Sequence, residues 1–196
     1  MRRRQLFALP FISLLPVACR QAVPPTFKAT DITGASFGRD FALSDPTGQR
    51  RTLADFRGKA VILFFGYASC PDICPTTLAR LADTMKQLGA NADRVQVLFV
   101  TVDPERDSAE RLREFVPWFY PGFVGLRGTP EETQALLAEF RATAIRRTVA
   151  GSMGYVIDHS AGCYVFDPAG RLRLYVKDEQ TAADIASDLT LLLGNA

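Results

Sequence analysis

Two strongly apolar runs constrain this chain more than any other feature. Residues 60–65 read Ala-Val-Ile-Leu-Phe-Phe, and residues 95–102 read Val-Gln-Val-Leu-Phe-Val-Thr-Val. Runs of this length, rich in β-branched and aromatic residues, fit strands buried on both faces. Between them Leu78, Leu81, Met85 and Leu88 recur at helical spacing, so residues 77–88 read as an amphipathic helix. Two doubly buried strands joined through a helix require covering layers, which points to an α/β sheet.

The remaining segments extend that pattern. Residues 41–44 and 49–53 flank Asp45-Pro46-Thr47-Gly48, a turn sequence with Pro second and Gly fourth, and predict an N-terminal hairpin. A helix near residues 108–116 carries Leu112, Phe115 and Val116, and a short strand follows near residues 123–126. Thr129-Pro130-Glu131-Glu132 supplies an N-cap, a proline at the first helical position and a capping-box glutamate. Residues 163–166 and 172–176 flank Asp167-Pro168-Ala169-Gly170, the same turn chemistry, and Thr181 caps a last helix with Ile185, Leu189 and Leu192 on one face. The order predicts a thioredoxin-like fold: a mixed central sheet, helices on both faces and an N-terminal β-hairpin extension. A length of 196 residues suits one such domain plus a leader. The net charge of +2 includes Arg2, Arg3 and Arg4, so the body is about neutral and offers no nucleic-acid surface.

Met1-Arg2-Arg3-Arg4 is a basic start, followed by an apolar run from Leu6 to Val17 that Pro10 and Pro16 interrupt. The run is too short for a membrane-spanning helix and fits the apolar core of an export signal. It ends in Ala18-Cys19, which resembles a bacterial lipoprotein signal, although Pro16 stands where such signals usually carry Leu. Residues 1–19 are therefore read as an export signal, either of lipoprotein type with Cys19 lipidated or ordinary and cleaved. Residues 20–37, with Pro24-Pro25, read as a tether, and residues 38–196 as the folded domain. The expected location is the periplasmic side of a bacterial inner membrane, held by lipidated Cys19 or by the apolar segment.

Soft ligands are few: Cys19, Cys70, Cys74, Cys163 and a single histidine, His159. Cys70 and Cys74 sit between the first buried strand and its helix, at the sheet edge where ligands bind in open α/β folds. Pro75 cannot donate a backbone hydrogen bond, so the regular helix is expected to begin there with Cys74 near its N-cap. The helix dipole would then favour a Cys74 thiolate. Three intervening residues let both sulfurs converge. Such a pair binds a soft ion such as Cu(I) or closes into a disulfide. A purely structural bridge is the competing reading, and it is the weaker one, because so small a loop constrains the unfolded chain little.

At these residues the chain resembles a known family. The stretch Gly66-Tyr67-Ala68-Ser69-Cys70-Pro71-Asp72-Ile73-Cys74-Pro75-Thr76-Thr77 is similar to the signature of the Sco/SenC proteins, copper chaperones of cytochrome c oxidase assembly. The segment Val100-Thr101-Val102-Asp103-Pro104-Glu105-Arg106-Asp107 resembles that family's second block, and Val156-Ile157-Asp158-His159-Ser160 its third. The three blocks occur in order between about residues 37 and 193. The resemblance implies copper, Cu(I) or Cu(II), held by Cys70, Cys74 and His159. It also implies an outer-shell role for Asp103, against the plainer reading that Asp103-Pro104 only terminates a strand. His159, flanked by Asp158 and Ser160, is expected in a polar loop before a strand. Cys163 departs from the family pattern and reads as a buried small hydrophobe, with a part as alternative ligand or disulfide partner left open.

The function implied is a metallochaperone, a carrier more than an enzyme, that delivers copper to the CuA centre of a cytochrome c oxidase subunit. The implied partners are that subunit and a thioredoxin-like reductant or another copper carrier. The alternative is a thiol–disulfide oxidoreductase that uses Cys70 and Cys74 as a redox pair to reduce the client's cysteines. Both need the cysteine pair; only the carrier needs His159. Ordinary thioredoxins place a cis-proline before the strand facing their cysteines, and residues 158–162 contain no proline. A peroxiredoxin would carry Thr or Ser where Tyr67 stands.

Overall fold

The computed structural model describes residues 26–151 and 154–194. The readings of residues 1–25, including the export signal and Cys19, lie outside the described residues. In chain order the elements are β1 (Thr30–Asp31), β2 (Ala42–Ser44), β3 (Arg50–Thr52), β4 (Ala60–Gly66), α1 (Ile73–Leu88), β5 (Val95–Thr101) and α2 (Ala109–Phe119). They continue with β6 (Val124–Leu126), α3 (Pro130–Glu139), β7 (Ala144–Thr148), β8 (Tyr155–His159), β9 (Cys163–Phe166), β10 (Leu172–Val176) and α4 (Ala182–Gly194).

Six strands form a mixed sheet in the order β1-β10-β9-β4-β5-β6. Strands β4, β5 and β6 run parallel, and β9, β10 and β1 complete the sheet antiparallel. Every residue of β4 is buried, as its unbroken apolar sequence requires of a central strand covered on both faces. Phe64 and Phe99 point to the face that Phe115 of α2 covers, where α1 and α4 also pack. Phe65 and Tyr164 point to the other face, against Phe140 at the end of α3. The thioredoxin-like expectation therefore holds, with helices on both faces. The expected N-terminal hairpin forms as the separate pair β2–β3.

The stretch read as a tether as far as residue 37 joins the fold earlier. Lys28 and Ala29 donate their N–H groups to the buried carboxylate of Asp188 in α4 at 2.8 and 2.7 Å, and β1 adds to the free edge of β10. An unpaired sheet edge and a buried carboxylate both need partners, and this segment satisfies them.

A second difference concerns the start of α1. The helix begins at Ile73, with Thr76 N–H to Asp72 C=O as the first four-residue-back bond at 3.2 Å. Pro75 is then the third helical residue, whose N–H would have no helical partner in any case, so proline costs nothing there. Cys74 lies inside the first turn rather than at the cap.

A third difference places His159. It ends β8, which pairs antiparallel with β7 in a two-stranded ribbon outside the main sheet, with Ala144 opposite His159. Strand β7, Ala-Ile-Arg-Arg-Thr, is mostly exposed and lacks the apolar alternation that marks a half-buried strand. No described helix is long and apolar enough to cross a membrane.

Candidate metal centre

The site forms where β4 ends. Gly66 closes the strand, and a Cβ built there would lie 2.8 Å from Cys74 Sγ and 2.6 Å from the Phe99 ring. Only glycine lets the buried Cys74 sulfur come that close to the strand. The chain then turns, with Cys70 N–H donating to Tyr67 C=O at 3.1 Å, and brings Cys70 back over the first turn of α1. Asp107, wholly buried, fixes this loop from below. Its Oδ2 accepts the Ala68 N–H at 2.9 Å and the Thr101 hydroxyl at 2.6 Å.

The β7–β8 ribbon supplies the third group. His159 Nε2 lies 3.2 Å from Cys74 Sγ, while its Nδ1 lies 3.0 Å from the Ser160 carbonyl oxygen. A carbonyl only accepts, so Nδ1 carries the proton and Nε2 presents a lone pair to the sulfurs. The ring stands edge-on to Phe64 and Tyr67, with centroids 6.1 and 5.8 Å away. One ligand atom from each of Cys70, Cys74 and His159 lies within 4.8 Å of the other two. A cleft of about 350 Å³ opens over them, lined by Tyr67, Pro71, Ile73, Val156, Asp158 and Ala161 among others.

The two cysteines are unequal. Contact with the Cys74 side chain lowers Cys70 to about 3 against the opposing effect of partial burial, helped by the Asp72 and Cys74 backbone N–H groups. Cys74 is raised, first because its proton is shared with the Cys70 sulfur and second by burial. The pair thus holds one proton and one negative charge, the charge on the half-exposed sulfur. This reverses the expectation that the helix dipole would make Cys74 the thiolate. Desolvation and an adjacent negative sulfur outweigh the partial charge of the helix end.

This donor set fits a metal ion. Bonds of about 2.3 Å to sulfur and about 2.0 Å to nitrogen set three donors round one ion about 3.7–4.0 Å apart. The observed separations, 3.2 Å between Cys74 and His159 and none above 4.8 Å, reach that span with shifts of under about an ångström. Two soft sulfurs suit Cu(I), and the imidazole adds the borderline third ligand that Cu(II) requires.

Asp103 touches none of the three. It is buried, its Oδ1 accepts the Tyr155 hydroxyl at 2.8 Å, and its Oδ2 pairs with Arg106. Its neighbours hold the start of β8, four residues before His159. Cys163 is buried at the start of β9, opposite Phe64, and burial pushes its thiol up to about 12. It is not part of the cluster. Asp107 and the Ser160 carbonyl carry no sequence mark of their part in the site. Asp107 lies in the second block, but no local spacing ties it to an amide 39 residues away.

Comparisons with known proteins converge on one family. The SCO1/SenC family model matches residues 29–194. The mitochondrial SCO2 homolog of Mus musculus is 36% identical over 152 residues, 76% of this chain and 60% of that protein. The zebrafish SCO2 homolog (Danio rerio) is 39% identical over 152 residues, again 76% of this chain and 54% of that protein. This chain therefore spans little more than half the length of these relatives. Among solved structures, Bradyrhizobium japonicum ScoI with copper bound superposes with a TM-score of 0.73 at 32% identity, covering 80% of this chain and 99% of that one. Yeast Sco1 with copper bound gives 0.74 at 30%, covering 83% and 91%.

Proposed function

The chain belongs to the SCO1/SenC family, and from that premise we propose that it is a copper metallochaperone serving cytochrome c oxidase assembly. Its cargo is Cu(I) or Cu(II), its ligands are Cys70, Cys74 and His159, and its client is the oxidase subunit that carries the CuA centre. The observation that carries the reading is the convergence of two sulfurs and one imidazole nitrogen within 4.8 Å, donated by two stretches of chain 85 residues apart. Copper-bound relatives with the same fold support it. A carrier must bind its ion and also release it. Three ligands, one on a ribbon outside the main sheet, leave an open side from which a client thiolate can begin exchange.

The protein works at the outer face of a bacterial inner membrane in this reading, delivered by the export signal of residues 1–19 and held by lipidated Cys19 or the apolar segment. A further partner in this reading is a thioredoxin-like reductant or another copper carrier.

The inequality of the two cysteines favours a second reading. A half-exposed thiolate beside a buried thiol is the arrangement of a dithiol reductant, in which the thiolate attacks and the second sulfur resolves. Copper titration tests the first reading. Reduced protein should take up one ion, and protein oxidised to the Cys70–Cys74 disulfide should take up none, because the thiolate is the ligand. Equal uptake by the oxidised form would place the copper elsewhere.

A further inference from the structure

The ribbon that brings His159 to the cysteines is fastened at its other end by one aromatic side chain. Tyr155, the first residue of β8, makes three kinds of contact with the turn that follows β5. Its hydroxyl donates to Asp103 Oδ1 at 2.8 Å, its carbonyl accepts from Arg106 Nη1 at 3.0 Å, and the Arg106 guanidinium carbon lies 3.6 Å from its ring centroid. The Arg146 guanidinium, from β7, lies 4.1 Å from the same centroid. Two guanidinium groups that near one centroid cannot share a face, so the ring is sandwiched between them. Arg146 also pairs with Glu105 of the same turn at 2.5 Å, so both strands of the ribbon are fixed at one place. Farther along β8, Ile157 N–H donates to the Tyr67 hydroxyl at 3.2 Å, while Asp158 pairs with Arg147 and Ser160 N–H bonds Thr143 C=O at 3.0 Å within the ribbon itself.

We infer that Tyr155 is a positioning residue for copper. Locked between Arg106 and Arg146, it sets the placement of β8 and so holds the imidazole of His159 over the cysteine pair. The inference rests on the copper-carrying reading and adds to it a residue that touches neither metal nor ligand. The cysteines come from the loop after β4 and the first turn of α1, which the clamp reaches only where the Arg106 guanidinium lies 5.6 Å from the Tyr67 ring centroid. Loosening it therefore affects the third ligand and spares the first two. Ring and hydroxyl divide the task. Phe at 155 keeps the sandwich and the carbonyl contact, whereas Leu loses the sandwich.

The test is a double-mutant cycle between Tyr155→Leu and His159→Ala, read with Cu(II) and Cu(I) as probes. Tyr155→Leu should weaken Cu(II) binding roughly tenfold or more, the range expected for groups behind a ligand. The sulfur-to-copper absorption should fade and the imidazole nitrogen coupling in the electron paramagnetic resonance spectrum should fall. Cu(I) affinity and the Cys70–Cys74 reduction potential should stay near wild type, and Tyr155→Phe should restore most of the Cu(II) signal. In the His159→Ala background the Leu substitution should have no further effect. Full additivity with His159→Ala, or an equal loss of Cu(I) binding, would overturn the inference. If Tyr155→Leu unfolds, Arg106→Lys serves instead; it keeps the charge but loses the fork that reaches the Tyr155 carbonyl, and should shift Cu(II) binding in the same direction. A wild-type chain that binds no copper would end the functional reading itself, whereas intact wild-type binding with unaffected variants would end only this inference.

Discussion

Cys74 Sγ, which keeps its thiol proton, and His159 Nε2 stand 3.2 Å apart, the ring's other nitrogen being committed to the Ser160 carbonyl. A metal ion entering the site has to displace that proton. Cys70, held low, has none left to lose near neutral pH.

The number of protons released follows. Between pH 7 and 9 each Cu(I) bound should free one proton, from Cys74 alone, whose raised value keeps it a thiol over this range. Raising the pH removes the competing proton, so apparent affinity should climb about tenfold per pH unit. Competition titrations across that range, or proton release by calorimetry in two buffers, measure the slope. A flat profile means that both sulfurs are already thiolates, and a slope of two means that neither is.

Gly66→Ala tests the close approach beneath the site. The added methyl would meet the Phe99 ring at 2.6 Å and Cys74 Sγ at 2.8 Å, inside a strand buried along its whole length. Overpacking of this kind costs about 1–3 kcal/mol. Urea unfolding should show that loss, and Cu(I) binding should weaken as Cys74 is pushed aside. Wild-type values for both would mean that the glycine is incidental.

Much of this architecture is legible in the sequence, and the parts that are not share a cause. Strands β4 and β5 and helices α1 and α3 announce themselves because their burial or capping is local: an apolar run, a helical stripe, Thr129 and Glu132 closing a capping box. Strands β1 and β7 carry no such pattern: β1 pairs with the far-off edge of β10, and β7 is mostly exposed and held by β8 in a ribbon outside the main sheet. The same holds at the site. The three donors could be named from their residue types and blocks, but the charge on Cys70 could not. That depends on which sulfur is buried deeper, a property of packing rather than spacing. Asp107 and Tyr155 are invisible for the same reason, their partners lying 39 and 52 residues away.

Cys163 separates packing from ligation. Buried on β9 and outside the cluster, it should be replaceable by Ala with copper stoichiometry and spectrum unchanged, at a cost of about 1 kcal/mol for the lost sulfur. Cys163→Ser should cost more, because burying a hydroxyl without a partner adds a desolvation penalty. Loss of copper from the stable Ala variant would bring Cys163 into the ligand set.

Copper carriage and simple disulfide exchange part at His159, and oxidase assembly in cells carrying only His159→Ala tells them apart. The variant keeps Cys70 and Cys74, so its activity against a disulfide substrate should change little, and it should retain much of its Cu(I) binding while losing Cu(II). With copper scarce, the oxidase in these cells should lack its CuA copper. A fully metallated oxidase assembled by His159→Ala under those conditions would contradict the carrier reading and leave the dithiol reductant in its place.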